Sequence, residues 1–353
     1  MWPGGSLESK SKEEPGLCVR APSFQGEETE LRESAPSGIM FDETRQQRRV
    51  PGGQTMRENT NRKSKKAEKP SRLARKNGCF GRVVLAMLAL VLALAAAAAL
   101  YVVMNPEPVT FTYRDRILEA KPGVPVNRYD REGFTVDERG RVSYSDNGRR
   151  AKEGIDVSFY QGEIDWPAVA ADGVEFAMIR LGYRGYTEGT LQFDSRFEEN
   201  IRGAAEAGLE VGVYFFSQAI TPEEAEEEAD FVLKALEGYE ITYPVAFDWE
   251  PITPGKDART DGLDGENLTQ CAAAFCRRVE QAGYEPVVYL NQEMGYLLYD
   301  LSLLTDWPVW LAEYDSAPDF YYDFMLWQYT HTGTVDGIQG KVDWNLDLRP
   351  EVD

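Results

Sequence analysis

The sequence predicts an α/β fold, an irregular TIM-like (β/α)5(β)3 barrel that follows a tail and one membrane-spanning helix. From residue 154 onward, short apolar runs alternate with amphipathic stretches, which is typical of parallel βαβ units. Eight such runs fall within about 200 residues, and the last three leave little room for helices between them. An open doubly wound sheet is the competing architecture, although no glycine-rich dinucleotide turn follows the first run.

Residues 1–82 predict a disordered, basic cytoplasmic tail, because they are rich in Glu, Arg, Ser, Gly and Pro and poor in apolar surface. They hold 17 Lys and Arg against 11 Asp and Glu, a net charge of about +6. Residues 105–353 hold 21 against 48, about −27. This asymmetry indicates two compartments, and it makes the acidic part a poor nucleic-acid binder.

Residues 83–104, VVLAMLALVLALAAAAALYVVM, predict a transmembrane helix, since 22 residues without charge, Pro or Gly can cross a bilayer core. A buried globular helix or a signal peptide is the alternative, although a signal peptide normally lies near the start of a chain. Residues 45–82 carry 13 Lys and Arg, whereas the residues just after the span, NPEPVTFTY, carry none. We therefore expect a single-pass protein of the cell membrane with a cytoplasmic N-terminus and residues 105–353 outside.

Residues 105–153 predict an extracellular stalk with a small β element. GFTVDERGRVSYS contains two short alternating runs around DERG, a plausible hairpin. We expect this segment to space the main domain from the membrane.

Residues 154–353 predict the barrel. The candidate strands are residues 154–158, 176–182, 210–216, 243–250, 286–291, 308–314, 324–330 and 341–346. The helical stretches are residues 197–208, 221–238 and 267–283. The second begins with Thr221 and Pro222, and Glu224 follows three residues after the Thr, which predicts a good N-terminal cap. Cys271 and Cys276 lie on different faces of the third and are expected to be buried small apolar residues.

Polar and aromatic residues end almost every predicted strand. In a barrel these ends gather at one mouth, where barrel enzymes keep their sites. Asp248 and Glu250 end the run YPVAFDWE and, two apart on a strand, share a face with a spacing of about 6.6 Å. Like charges so placed raise the pKa of at least one of them, which suits cleavage of a glycosidic bond.

Two further acids, Asp156 and Asp343, come from the first and last strands, which are neighbours in a closed barrel. The simpler interpretation of the acid pair is a solvated strand end, and that of each aromatic residue is a core position. Four acids and several aromatic residues that converge on one cleft favour chemistry.

The stretches GIDVSFYQGEIDW, YPVAFDWE, VWLAEY and LWQYTHTGTVDGIQGKVDWN resemble the glycoside hydrolase family 25 lysozymes, or Chalaropsis-type N-acetylmuramidases. The resemblance covers about residues 154–347. It implies the (β/α)5(β)3 barrel and hydrolysis of the β-1,4 bond between N-acetylmuramic acid and N-acetylglucosamine in peptidoglycan glycan strands, without a metal or cofactor. His331 departs from the family pattern, in which an acidic residue often follows Thr330.

By position, the resemblance implies Glu250 as general acid and Asp248 as the carboxylate that assists through the substrate acetamido group, with Asp156 and Asp343 as the outer acids of the catalytic set. The expected substrate-binding residues are Tyr160, Gln161, Tyr214, Tyr289, Trp310 and Gln328. The alternatives are a catalytically degenerate wall-binding module, or another β-hexosaminidase.

Overall fold

The computed structural model describes residues 72–104, 107–252 and 257–349, with side chains from residue 80 onward. The predicted tail therefore lies mostly outside the described residues. Helix α1 spans Arg72–Met104 and belongs to one compact unit, while residues from Val109 onward form another. Within α1, Phe80–Met104 is a stretch of 25 residues that is long and apolar enough to cross a membrane, and none of it is buried.

The segment before the barrel contains two small antiparallel sheets. Strands β1 (Thr110–Tyr113) and β2 (Arg116–Glu119) form one hairpin. Strands β3 (Phe134–Val136), β4 (Val142–Asp146) and β5 (Arg149–Arg150) form the other sheet, which confirms the hairpin predicted around DERG. The segment packs on the barrel, since Arg139 and Arg141 both pair with Asp172. Its role as a spacer stays a prediction.

The barrel elements follow in chain order. They are β6 (Lys152–Val157), α2 (Trp166–Ala171), β7 (Phe176–Arg184), β8 (Leu191–Phe193), α3 (Phe197–Glu206), β9 (Glu210–Ser217), α4 (Pro222–Ala235), β10 (Val245–Trp249), α5 (Gly265–Gln281), β11 (Pro286–Asn291), β12 (Val309–Ala312), β13 (Leu326–Gly333) and β14 (Val342–Asp347).

Eight of these strands close into a cylinder, because β6 pairs with β7 on one side and with β14 on the other. Helices α2 to α5 follow the first four barrel strands. The fifth connection holds only two short helical turns, Met294–Leu298 and Leu301–Leu303. The irregular barrel is thereby confirmed, with one refinement: β14 runs antiparallel to both of its neighbours, so its first residues lie beside the carboxyl ends of the other strands.

Local sequence explains where the helices begin. Thr221 caps α4 by accepting a hydrogen bond from the Glu224 amide at 3.3 Å, as its sequence predicts, with Pro222 at the first helical position. The Glu224 carboxylate reaches back to the Ile220 amide at 2.9 Å, one residue before the cap. In α5, Asp264 caps by accepting from the Asn267 amide at 2.8 Å.

Apolar side chains fill two layers. The inner layer fills the barrel and includes Phe176, Met178, Val287 and Trp310. The outer layer lies between the barrel and its helices, where α5 buries one face, including Cys271 and Cys276, as predicted for these two residues. The inner layer stops below the carboxyl ends of the strands, and polar side chains take over there.

Candidate active site

Two carboxyl groups, Asp156 and Asp343, lie side by side at the mouth of the barrel. Asp156 is near the end of β6 and Asp343 near the start of β14, and the two residues are direct partners in the ladder that closes the barrel. Their adjacency confirms that the first and last strands are neighbours. Burial raises the pKa of Asp156 to about 6, although the hydrogen bonds that it accepts oppose the increase. Burial and the nearby Asp156 charge raise the pKa of Asp343 to about 9.

The two carboxyl groups therefore differ in protonation state. Near neutral pH, Asp343 keeps its proton and donates a hydrogen bond to an ionised Asp156. Asp156 Oδ2 also accepts from Gln328 Nε2 at 2.8 Å and from Asn345 Nδ2 at 2.7 Å. Three donors thus hold one buried carboxylate in place.

Aromatic side chains orient the two amides in this network. The hydroxyl groups of Tyr289 and Tyr314 donate to Gln328 Oε1 at 2.9 and 3.1 Å. The Trp310 indole N–H donates to Asn345 Oδ1 at 2.8 Å. Because each amide oxygen is occupied by a donor, each amide nitrogen must face Asp156.

The second pair of acids comes from the end of β10. Asp248 is buried, at 5% exposure, and its Oδ1 has no hydrogen-bond partner among the described residues. Its pKa is raised well above the ordinary value by burial first, and then by the Glu250 and Asp156 charges, while Arg180 opposes the increase. Glu250 follows the last residue of the strand and is half-buried.

The main chain at Glu250 is held by a set of contacts behind the mouth. Gln218, just after β9, donates from Nε2 to the Glu250 carbonyl oxygen at 3.1 Å. Thr260 donates from its hydroxyl to Gln218 Oε1 at 2.8 Å, and Arg259 donates to the Gln218 carbonyl oxygen at 2.9 Å. Arg259 is in turn paired with Glu224 of α4. The loop between β10 and α5 thereby supports the end of β10.

Sequence reasoning missed Arg180, a cation inside the barrel mouth. Arg180 lies on β7, where its Nε donates to Asp194 Oδ2 at 2.7 Å, and both side chains are buried. Its guanidinium carbon lies 5.4 Å from the ring centroid of Tyr160. The available signal was an arginine inside the apolar run FAMIRLG, since an arginine is almost never fully buried unless it is paired. Asn345, in the closing motif VDWN, was missed as well.

The predicted substrate-binding residues occupy different depths. Tyr160 is 38% exposed at the rim, and Gln161 caps a short helical turn by accepting from the Ser158 amide at 2.8 Å. Tyr214 is half-buried, with its ring centroid 6.1 Å from that of Trp310, which is 1% exposed. Tyr289 and Gln328 belong to the network around Asp156. The roles of all six in binding stay predictions, as do the four catalytic assignments.

In the described ranges, no group of three or more His, Cys, Asp or Glu side chains is placed to hold a metal ion. The mouth instead combines protonated and ionised carboxyl groups with buried amides and tyrosines. A closed β/α barrel with carboxyl groups at this end has the architecture of the barrel glycoside hydrolases.

Comparison with known proteins identifies the family. The model of glycosyl hydrolases family 25 matches residues 155–338, more than half of the chain, and the protein therefore belongs to that family. Lysozyme M1 of Streptomyces globisporus is 30% identical over 276 residues, which cover 75% of this chain and 88% of that protein. The autolytic lysozyme of Clostridium acetobutylicum is 29% identical over 192 residues, 54% of each chain.

Solved structures include further proteins that are similar to this chain. The modular autolysin LytC of Streptococcus pneumoniae is 27% identical with a TM-score of 0.49, over 61% of this chain and 52% of that one. A family 25 glycosyl hydrolase from Bacillus anthracis is 22% identical with a TM-score of 0.48, over 57% and 90%. The chain spans only about half the length of LytC and of the clostridial lysozyme.

Proposed function

We propose that this protein is a peptidoglycan hydrolase, a lysozyme that cleaves the β-1,4 bond between N-acetylmuramic acid and N-acetylglucosamine. The observation that carries the proposal is the placement of Asp248 and Glu250 at a strand end in the mouth of a family 25 barrel that also holds the pair Asp156 and Asp343. The family and the two related lysozymes support the reaction class.

In this proposal Glu250 is the general acid that protonates the leaving oxygen, and Asp248 accepts the N–H of the substrate acetamido group. Burial and neighbouring charges favour the protonated form of Asp248 before substrate binds. A sugar ring over Glu250 excludes water and disfavours its charged form, while the acetamido N–H stabilises an ionised Asp248. Substrate binding thus favours movement of a proton from Asp248 to Glu250, which prepares both groups for reaction.

Ionised Asp248 then assists attack of the acetamido oxygen on the anomeric carbon, with net retention of configuration. This route differs from the usual scheme in which the second carboxylate is itself the nucleophile. Asp156 contributes surrounding charge, because its charge raises the pKa of Asp248, and Asp343 holds Asp156 by a hydrogen bond.

The test is hydrolysis of purified sacculi by the full chain and by Glu250→Gln. We expect the wild-type protein to release new reducing ends and the variant to lose at least about 100-fold in rate, since general acid catalysis contributes 10²- to 10⁴-fold. Glu226→Gln, the same change on the exposed side of α4, is the matched control and should behave as wild type. Full activity of Glu250→Gln would remove Glu250 from this role. Binding to sacculi without cleavage by the wild type would favour a degenerate wall-binding module.

We also propose that α1 anchors the protein in the cell membrane, with the N-terminus cytoplasmic and the barrel outside. The length and composition of Phe80–Met104 support the anchor. The excess of Lys and Arg before the span supports the orientation. A wall hydrolase so anchored would act on the peptidoglycan nearest its own membrane.

A further inference from the structure

A second concave site lies beside the mouth, between the β3–β4 hairpin and the end of β13. We call it the hairpin cleft, and its defining residues are Val136, Gly140 and Val142 on one side and Tyr314, His331 and Thr332 on the other. Its volume is about 380 Å³, within the range of small-ligand sites. The hairpin side lies outside residues 155–338, the region that matches the family model.

The cleft offers the chemistry that a sugar ring requires. Tyr314 is 48% exposed, and its ring lies against the His331 ring with centroids 4.5 Å apart and planes tilted by 52°, so aromatic surface from two rings lines the opening. Thr330 and Thr332 place their hydroxyl groups 3.2 Å apart beside it. An aromatic platform flanked by hydroxyl groups can pack against the C–H face of a pyranose and hydrogen-bond to its edge.

Both walls are held in place. Asp137 closes the hairpin turn by accepting from the Arg139 and Arg141 amides, each at 2.8 Å, and the Arg141 guanidinium stacks 4.1 Å from the Trp344 ring of the barrel. On the other wall, register shifts on both sides of Thr330 interrupt the pairing of β13 with β14. Such bulges redirect side chains at barrel rims. The cleft is thus preformed, which lowers the entropy cost of binding.

The cleft is contiguous with the candidate active site through Tyr314. The same side chain forms a wall of the cleft and donates to Gln328, which holds Asp156. A ligand that extends along the mouth past Tyr314 would therefore enter the cleft.

The charges in the cleft favour a neutral ligand over an acidic one. Asp315 and His331 are the ionisable groups other than tyrosine among the described residues that line it, and no Lys or Arg does so. A stem peptide brings carboxylates, which would meet Asp315 without a cation to pair with. A neutral amino sugar brings hydroxyl and amide groups, which Thr330, Thr332 and the Asp315 carboxylate can bind.

We infer that the hairpin cleft binds an N-acetylglucosamine residue, the neutral amino sugar of the glycan strand that flanks the cleaved bond, and so favours long strands over short ones. This inference rests on the proposed lysozyme activity and extends it to substrate length. It predicts that the β3–β4 hairpin acts in substrate selection.

The experiment uses the full chain and peptide-free glycan strands of peptidoglycan, sorted by length from two disaccharide units upward. We expect wild-type kcat/KM to rise about tenfold from the shortest to the longest strands, equivalent to ~1.4 kcal/mol. Val136→Arg should fill the cleft, and His331→Ala should remove part of the platform. Both substitutions should abolish most of the increase in kcat/KM with strand length and leave kcat/KM on the shortest strands unchanged. Ser143→Arg places the same side chain on the opposite, exposed face of the hairpin and should match wild type.

If kcat/KM increases with strand length in Val136→Arg and His331→Ala as it does in wild type, the inference is overturned, whereas the proposed lysozyme activity still stands. The inference is also overturned by a wild-type protein without length preference, or by one whose preference requires strands that carry stem peptides. If the wild type cleaves no strand at all, the proposed function fails. In that case, calorimetric binding of the same strands to the Glu250→Gln protein tests the cleft separately. If the cleft holds a sugar, adding Val136→Arg to Glu250→Gln must weaken the binding of long strands.

Discussion

At the scale of single residues, the pKa values of the carboxyl groups at the mouth are set more by burial than by nearby cations. Asp156, Asp248 and Asp343 all have raised pKa values, and burial is the largest cause in each case. Arg180 is the cation that opposes this increase at Asp248, and it is already paired with Asp194. Burial therefore keeps Asp343 protonated near neutral pH and favours the protonated form of Asp248, while Asp156 is ionised.

The raised pKa of Asp343 makes stability depend on pH. Its folded pKa of about 9 exceeds the ordinary value of 3.8, so between these values the folded state binds more protons than the unfolded state. The free energy of unfolding must then decrease as pH rises through this window, by up to about 4 kcal/mol for one proton over three pH units. We expect Asp343→Asn, which cannot ionise, to lose less stability than wild type between pH 5 and pH 8.

Urea unfolding at both pH values measures this difference. Asp323→Asn is a control at an exposed carboxyl group outside the mouth. Equal decreases in stability for wild type and Asp343→Asn would show that Asp343 is ionised in the folded protein across this range.

The Arg180–Asp194 pair should be costly to break, because removal of one partner leaves a buried charge without its opposite charge. We expect Arg180→Met to lower the free energy of unfolding by about 3–5 kcal/mol. Combining it with Asp194→Leu should recover part of that loss, and a double-mutant cycle from urea unfolding gives the coupling. Additive losses in the cycle would mean that the two side chains do not stabilise each other.

At the scale of elements, most barrel strands were predictable because they are nearly continuous apolar runs. All nine residues of β7 are buried, which is the pattern of a parallel strand covered on both faces. The antiparallel direction of β14 was not predictable, since a short strand of alternating residues reads the same in either direction. Its consequence is that Asp343 reaches the mouth from the start of its strand.

Contacts between distant elements could not be predicted from the sequence either. The Asp248 and Glu250 pair was visible as a two-residue spacing on one strand. The amides that orient Asp156 come from β13 and β14, and their pairing depends on the register of the closed barrel. The support behind Glu250 depends on a loop whose residues carry no motif.

That support gives a prediction for Gln218, which links the end of β9 to the end of β10. Gln218→Leu should lower kcat by about 10- to 100-fold, because small displacements of a catalytic group are costly. The KM value should change less, since Gln218 touches the main chain of Glu250 and lies behind the mouth. Thr260→Val, which removes the hydroxyl that holds Gln218, should show a smaller loss of the same kind.

Steady-state kinetics on sacculi or soluble glycan strands separate these effects. Gln281→Leu at the exposed end of α5 is the matched control. A rise in KM with unchanged kcat would place Gln218 in substrate binding instead of in the positioning of Glu250.

At the scale of the whole molecule, charge and hydropathy divide the chain at α1. The net charge of about +6 before the span and about −27 after it is a property of sequence alone. The compact unit from Val109 onward carries the family domain together with the β3–β4 hairpin. Since the domain faces a wall polymer in the proposed function, the side of the membrane on which it lies decides whether it can act at all.

The orientation can be tested with the full chain carrying one epitope tag at each end. Added to intact cells after mild opening of the wall, a protease should remove the C-terminal tag and leave the N-terminal tag protected, because basic residues before the span remain cytoplasmic. Permeabilised cells, in which both tags are digested, provide the control. Replacing the Lys and Arg of residues 62–76 with Gln should weaken the preference, since these positions supply most of the flanking charge. Protection of the C-terminal tag in intact cells would contradict the orientation, and release of the whole protein into the soluble fraction would show that Phe80–Met104 does not act as an anchor.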